Sequence, residues 1–191
     1  MRFIVIDGLD GVGKDTHAQL IKKKYEDKGE KVVVRSHPES DNFFGKNAKK
    51  ALLGKGKINK FKASIFYMFD VLNSIKNYYK KKNCDTLIIV RYLIGTAYLP
   101  LKIAKIGYNF FSHYVPTSKY MFFLDASPNV LFERIKKRKE KEMFETLDEL
   151  ENVRKKSLML IKNWNIIDTS GNIQDTYLEI EKLLDNLDKN S

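Results

Sequence analysis

Residues 8–16 read Gly-Leu-Asp-Gly-Val-Gly-Lys-Asp-Thr and follow, after Asp7, on the strand-like run Arg2–Ile6, so that they fit G-x-x-x-x-G-K between a strand and a helix. The glycines let successive backbone N–H groups turn inward as an anion nest. The start of the following helix adds a partial positive charge and Lys14 a full one. Such a loop binds the phosphates of a nucleoside triphosphate, and Gly8, Asp10, Gly11, Val12, Gly13, Lys14, Asp15 and Thr16 are its expected lining, with Lys14 catalytic. One position departs from the pattern. Where a Ser or Thr usually offers magnesium a hydroxyl, the chain has Asp15, with Thr16 one place later. A carboxylate is a good ligand for a hard cation, although it adds negative charge beside the phosphates.

The loop belongs to a wider alternation. Short apolar runs at Arg2–Ile6, Lys31–Arg35, Thr86–Val90, Tyr120–Leu124 and Asn165–Ile167 are separated by longer amphipathic segments, which predicts an α/β domain with a mostly parallel sheet. Helices are expected over about Lys14–Lys28, Lys60–Lys80, Ser127–Arg138, Leu147–Lys162 and Ile173–Leu187. With 191 residues and no linker or repeat, the chain reads as a single domain spanning 1–191. No apolar stretch approaches the roughly 20 residues of a membrane span, and the N-terminus lacks a signal-peptide core. Together with a single cysteine, Cys84, this leads to the expectation of a cytoplasmic protein. The net charge of +11 favours polyanionic partners, but the lysines are spread over many helix faces and no signature of a nucleic-acid reader is present. Nucleic acid is not expected as a specific partner.

Beyond the loop, four segments occur in the order found in thymidylate kinases: "FIVIDGLDGVGKDT", "IIVRYLIGTAY", "FFLDASPNVLFERIKKRKEKEMFE" and "NWNIIDTSGNI". The chain thus resembles the thymidylate kinase family of P-loop nucleoside monophosphate kinases. The resemblance implies a three-layer P-loop NTPase fold with a five-stranded parallel sheet and helices on both faces. It also implies transfer of the γ-phosphoryl group of ATP to dTMP or a related pyrimidine nucleotide, with Mg2+ spanning the donor phosphates, and a homodimer. Arg91 falls where the family's arginine grips the acceptor phosphate. The aspartate expected just before it is replaced by Val90, and Asp7 or Asp15 is the candidate replacement for metal binding. Asp125 ends a strand as a Walker B-like aspartate would, but ranks below Asp7. Gly11 groups the chain with family members whose catalytic cations lie in the lid, here a basic lid around 134–146. Arg134, Arg138, Lys139 and Lys141 are its candidates, with Arg134 toward the nucleotide and Arg138 catalytic.

For the acceptor, Asp10 matches the family's ligand of the sugar 3′-hydroxyl, Tyr98 the ring that crowds the 2′ position, and Phe66 the ring that stacks on the pyrimidine. His37-Pro38-Glu39 resembles the turn beside the acceptor phosphate, with Arg35 and Lys49 as nearby basic residues. Four residues after Phe66, where an arginine usually reads thymine, stands Asp70. A carboxylate there would suit the 4-amino group of cytosine. Three readings remain: the substrate is not thymidylate, another donor reads the base, or the alignment slips by one residue. His17 and His113 have no ligand-like spacing. The competing functional reading is a nucleotide-binding protein of the same fold with weak or lost kinase activity, to which Val90 and Asp15 point.

Overall fold

The computed structural model describes residues 1–54, 56–137 and 146–190. Five parallel strands, β1 (Arg2–Gly8), β2 (Val32–Ser36), β3 (Thr86–Val90), β4 (Met121–Asp125) and β5 (Asn165–Asp168), form one sheet in the order β2-β3-β1-β4-β5. The three central strands carry the core. Ile4, Val5, Ile6, Leu87 through Val90 and Phe122 through Leu124 are all fully buried, as strands covered on both faces require.

The connections are α1 (Lys14–Glu26), α2 (Phe43–Leu52), α3 (Lys57–Ser74), α4 (Leu101–Tyr114), α5 (Pro128–Lys136), α6 (Leu147–Leu160) and α7 (Ile173–Lys189). The chain leaves β1 toward β2 on one side and leaves β3 toward β4 on the other. Right-handed crossovers therefore put their helices on opposite faces. The point where these connections diverge lies between the C-terminal ends of β1 and β3, which is where open α/β sheets bind ligands.

Five helices correspond to the expected ones within a few residues at each end. Ser127, for example, accepts the Val130 N–H and Pro128 opens α5, as its sequence suggests. The expected third segment extends from α3 into a single π turn at Ile75–Tyr79. Two further helices are additions. α2 starts at Asn42, whose side chain accepts the Gly45 N–H, and α4 follows Pro100 after a 3-10 turn at Ile94–Tyr98. No helix among the described residues is long and apolar enough to cross a membrane.

Candidate active site

Gly8 ends β1 at φ +146°, and a Cβ there would lie 2.2 Å from the carbonyl oxygen of Leu124. Only glycine fits so close an approach. Gly11 and Gly13 both take φ +87°, and Gly13 is the N-cap of α1, the positive-φ backbone from which an anion nest is built. Gly11, Gly13, Lys14, Asp15, Thr16 and Arg91 line a hollow of about 110 Å³ at this point.

Lys14 is buried, and its Nζ donates to the carbonyls of Gly8 (2.8 Å) and Leu9 (2.6 Å) while lying 3.5 Å from Asp10 Oδ1. Burial, helped by the positive charge of Arg91, draws its pKa down to about 8 against the pull of Asp10, Asp7 and Asp15. Asp10 connects two parts of the site. Its Oδ2 accepts from the Tyr98 hydroxyl at 3.1 Å, and its Oδ1 lies 3.7 Å from Arg91 Nη2.

Arg91 follows directly on β3. Its N–H donates to the carbonyl of Ile6, and its backbone sits at φ +61°, a conformation that costs a non-glycine residue about 1–3 kcal/mol. Its Nη1 donates to Ser36 Oγ (3.2 Å) and Asp15 Oδ2 (3.3 Å). Burial works against the charge of Arg91, but Asp10 and Asp15 outweigh it and keep the guanidinium firmly protonated. Arg91 also lines the second, much larger cavity, about 1160 Å³, together with Lys14, Asp10, Tyr98, Tyr67 and Val71. One arginine thus borders both the phosphate nest and the neighbouring chamber.

A P-loop nest opening through an arginine into a second chamber is the arrangement of an enzyme that joins two phosphorylated ligands, and comparison with known proteins agrees. The thymidylate kinase family model matches residues 6–180. The chain belongs to the thymidylate kinase family. It is 31% identical over 162 residues to the thymidylate kinase of Leptospira interrogans serogroup Icterohaemorrhagiae, covering 80% of this chain and 78% of that one. It is 26% identical over 192 residues to a probable thymidylate kinase of Methanocaldococcus jannaschii, covering 97% and 96%. The solved thymidylate kinase of Candida albicans, at 18% identity, superposes with a TM-score of 0.73 over 99% of this chain and 92% of its own, which shows the shared P-loop fold. The chain is accordingly a thymidylate kinase-like nucleoside monophosphate kinase, an ATP-dependent phosphotransferase.

Against this family framework, several expected site residues sit elsewhere. Asp70 does not face a base. It is fully buried, and its carboxylate accepts from His37 Nδ1 (2.7 Å), the Glu39 N–H (2.7 Å) and Asn42 Nδ2 (2.6 Å), tying α3 to the His37-Pro38-Glu39 turn and the start of α2. Phe66 lies outside the wall of the large cavity and packs edge-on against Phe43 of α2. The ring that lines the chamber is its neighbour Tyr67, and Val71 lines it where Asp70 was expected, which corresponds to a one-residue slip of the alignment.

Arg35 is engaged by neighbouring side chains at the end of β2 and does not itself line the chamber. Its guanidinium is held by both Asp41 oxygens and Ser74 Oγ, lies against the Tyr78 ring, and sits 3.6 Å from Glu39 Oε1, the one of these partners that borders the chamber. Asp7 is unsuited to a metal. Its Oδ1 accepts the Gly8 N–H and its Oδ2 those of Tyr92 and Ile94, while burial raises its pKa against these bonds. It fastens β1 to the loop after β3. Asp125 is taken up in a two-bond pair with Arg154 (2.8 and 2.7 Å). Arg134 donates to the Thr169 carbonyl at the turn before α7. Arg138, Lys139 and Lys141, and most of the expected lid, lie outside the described residues. His17 is a buried helix-packing residue and His113 is exposed.

Ser36, Tyr67 and Val71 went unnoticed in the sequence. For Ser36 a signal existed. Side chains alternate along β2, so Arg35 and Ser36 face opposite ways, and the strand's last residue is the one that turns to the site.

Proposed function

We propose that this kinase transfers the γ-phosphoryl group of ATP to a pyrimidine deoxynucleoside monophosphate, with dTMP as its best acceptor. The observation that carries this reading is Arg91, which borders both the nest and the large chamber and so can hold an acceptor phosphate facing the donor. Its planar fork suits two-point contact with a phosphate, and holding both groups in line is most of what phosphoryl transfer requires of a protein. Lys14 leaves the carbonyls of Gly8 and Leu9 for the donor phosphates. Asp10 takes the sugar hydroxyl, and Tyr98, braced on Asp10, closes the ribose side against a 2′-hydroxyl. Tyr67 and Val71 give the base an apolar, aromatic wall.

The family uses ATP with Mg2+, and the donor set here fits that cation. Among the described residues there is no cluster of three metal-ligating side chains. Mg2+ bound through phosphates needs only one or two carboxylates. Asp15, with a side chain 58% exposed and set beside Thr16 at the nest, is the carboxylate that would meet it on leaving Ser36 and Arg91, since Asp7 is held by three buried backbone N–H groups. Bound there, the cation would neutralise phosphate charge.

We also assign a homodimer. Phe43 on α2 and Ile58 on α3 are largely exposed apolar side chains of the kind a second copy would cover. A cytoplasmic location accords with the family and with a buried free Cys84.

An assay of ADP production with dTMP, dUMP, dCMP, UMP and CMP tests the reading. Turnover should be highest with dTMP and low with both ribonucleotides. Absence of turnover with every acceptor, in a protein that still binds ATP, would favour the reading of a nucleotide-binding protein without kinase activity.

A further inference from the structure

In a P-loop of the common kind, the residue after the lysine is a small hydroxyl that cannot reach across the site as a charge. Here it is Asp15, and its carboxylate is spread between two strand ends. Oδ1 accepts from Ser36 Oγ at 2.5 Å, at the end of β2, and Oδ2 from Arg91 Nη1 at 3.3 Å, just past β3. Ser36 Oγ also accepts from Arg91 Nη1 at 3.2 Å, so the three side chains close a triangle. Burial would raise the carboxyl pKa, but Arg91, Ser36 and Lys14 hold it below the usual carboxylate range, so Asp15 is an anion at neutral pH. Arg91 thus meets in this structure part of what an acceptor phosphate would offer it: an anionic oxygen within hydrogen-bond distance of one of its N–H groups.

We propose that Asp15, seated on Ser36, is an internal stand-in for the acceptor phosphate that latches Arg91, so that acceptor binding has to displace it. Asp15 and Ser36 are positioning residues in this role, since they act through Arg91. The inference rests on the assignment of Arg91 to the acceptor phosphate. Its consequence is coupling between the two halves of the site. Whatever draws the Asp15 carboxylate toward the donor side frees Arg91 for the acceptor, so a single carboxylate links donor loading to acceptor affinity.

The test is calorimetric binding of dTMP, with thymidine as the ligand that lacks the phosphate, in the absence of ATP and metal. Loss of a partly exposed ion pair and a hydrogen bond predicts that Asp15→Ser tightens dTMP about 3- to 10-fold while leaving thymidine unchanged. Ser36→Ala, which changes no charge, should tighten dTMP in the same direction by a smaller factor. A double-mutant cycle separates a latch from a simple loss of negative charge near the site. In an Arg91→Ala background the latch predicts no effect of Asp15→Ser on dTMP, whereas a field effect would persist. Unchanged, weakened or unmeasurable dTMP binding in Asp15→Ser, or a gain that survives in Arg91→Ala, overturns the proposal. If Arg91→Ala does not itself weaken dTMP, it is the assignment of Arg91 that fails, and the two failures are thereby distinct.

Discussion

Asp70 offers the sharpest test of how the acceptor side is built, because its surroundings make it a structural anchor and its position in the sequence suggested a base reader. In Asp70→Ala three donors lose the Asp70 carboxylate at once: the buried His37 Nδ1 and the half-buried Glu39 N–H, each at 2.7 Å, and Asn42 Nδ2 at 2.6 Å, which keeps Asp41 Oδ1 at 3.0 Å. Each buried donor left unpaired costs about 1–3 kcal/mol, and removing one member of a buried charged network costs about 3–5 kcal/mol. The donors are neighbours, so their losses do not add in full, and about 4 kcal/mol is expected. In a domain of this size that lowers Tm by about 8–16 °C. Asp70→Asn keeps an oxygen for the two donors that share Oδ2 but sets its amide against that of Asn42, for about half the cost. Asp70→Arg should fail to fold, and Asp70→Asn should keep the wild-type base preference. Thermal unfolding of the three variants, with the dCMP-to-dTMP ratio of kcat/KM for those that fold, checks the reasoning. An Asp70→Ala protein within 2 °C of wild type but with an altered base preference would refute it.

The same carboxylate fixes an acid limb. Burial pushes the Asp70 pKa up, but the hydrogen bond and charge of His37, the Glu39 N–H and Asn42 outweigh it and hold the folded value below the ordinary one. A depressed folded pKa gives a stability contribution that is complete above the unfolded value of about 4 and is lost as pH falls below it. The Tm gap between wild type and Asp70→Ala should therefore narrow from pH 6 to pH 3. A constant gap would mean that the charge on Asp70 is irrelevant to its anchoring.

Lys14→Ala should lower kcat by about 10²–10³. It should cost little stability, because losing two carbonyl contacts is offset by no longer burying an ammonium group. Near-normal turnover in the folded variant would remove Lys14 from catalysis. Arg91→Ala should raise the KM for acceptor and lower kcat together while barely changing the KM for ATP. A defect confined to ATP would contradict the placement of Arg91 at the chamber. Gly45→Ala tests the packing of α2 on the turn after β2. An added Cβ would lie 2.0 Å from the Glu39 carbonyl oxygen and 2.7 Å from its nitrogen, both backbone atoms. A stability loss of about 1–3 kcal/mol and a raised acceptor KM are expected, measured by urea unfolding and steady-state kinetics.

What was legible in the sequence follows from how local each feature's physics is. The sheet was readable because buried parallel strands are uniformly apolar and short. The nest was readable because positive φ at Gly11 and Gly13 can be met cheaply only by glycine. α2 and α4 were not, since glycines interrupt both (Gly45 and Gly107) and many of their apolar side chains face outward, which blurs the helical period. At the site, the positions of Lys14 and Arg91 are legible because local backbone geometry fixes them. Asp70 and Phe66 are harder to place from sequence, because a helix of 18 residues offers every candidate a neighbour one step away, and a step of one turns a side chain by about 100°. That rotation separates Tyr67, in the chamber wall, from Phe66, against α2.

Val90 and Asp15 are better understood together than as two departures from a motif. The family's aspartate before the arginine would stand at Val90, whose register lies between Ile6 and Ser36 and whose side chain is fully buried. A carboxylate there, without the three N–H groups that Asp7 receives, would face an uncompensated burial penalty. Asp15 reaches the neighbourhood of Arg91 from the opposite side, off the first turn of α1, where the helix N-terminus favours an anion and the side chain remains hydrated. Negative charge beside Arg91 thus comes from Asp10 in the loop and from Asp15 at the start of α1, and not from the end of β3. Asp15 stays within hydrogen-bond distance of the guanidinium, and the phosphate loop gives up its usual hydroxyl while Ser36 brings one in from β2.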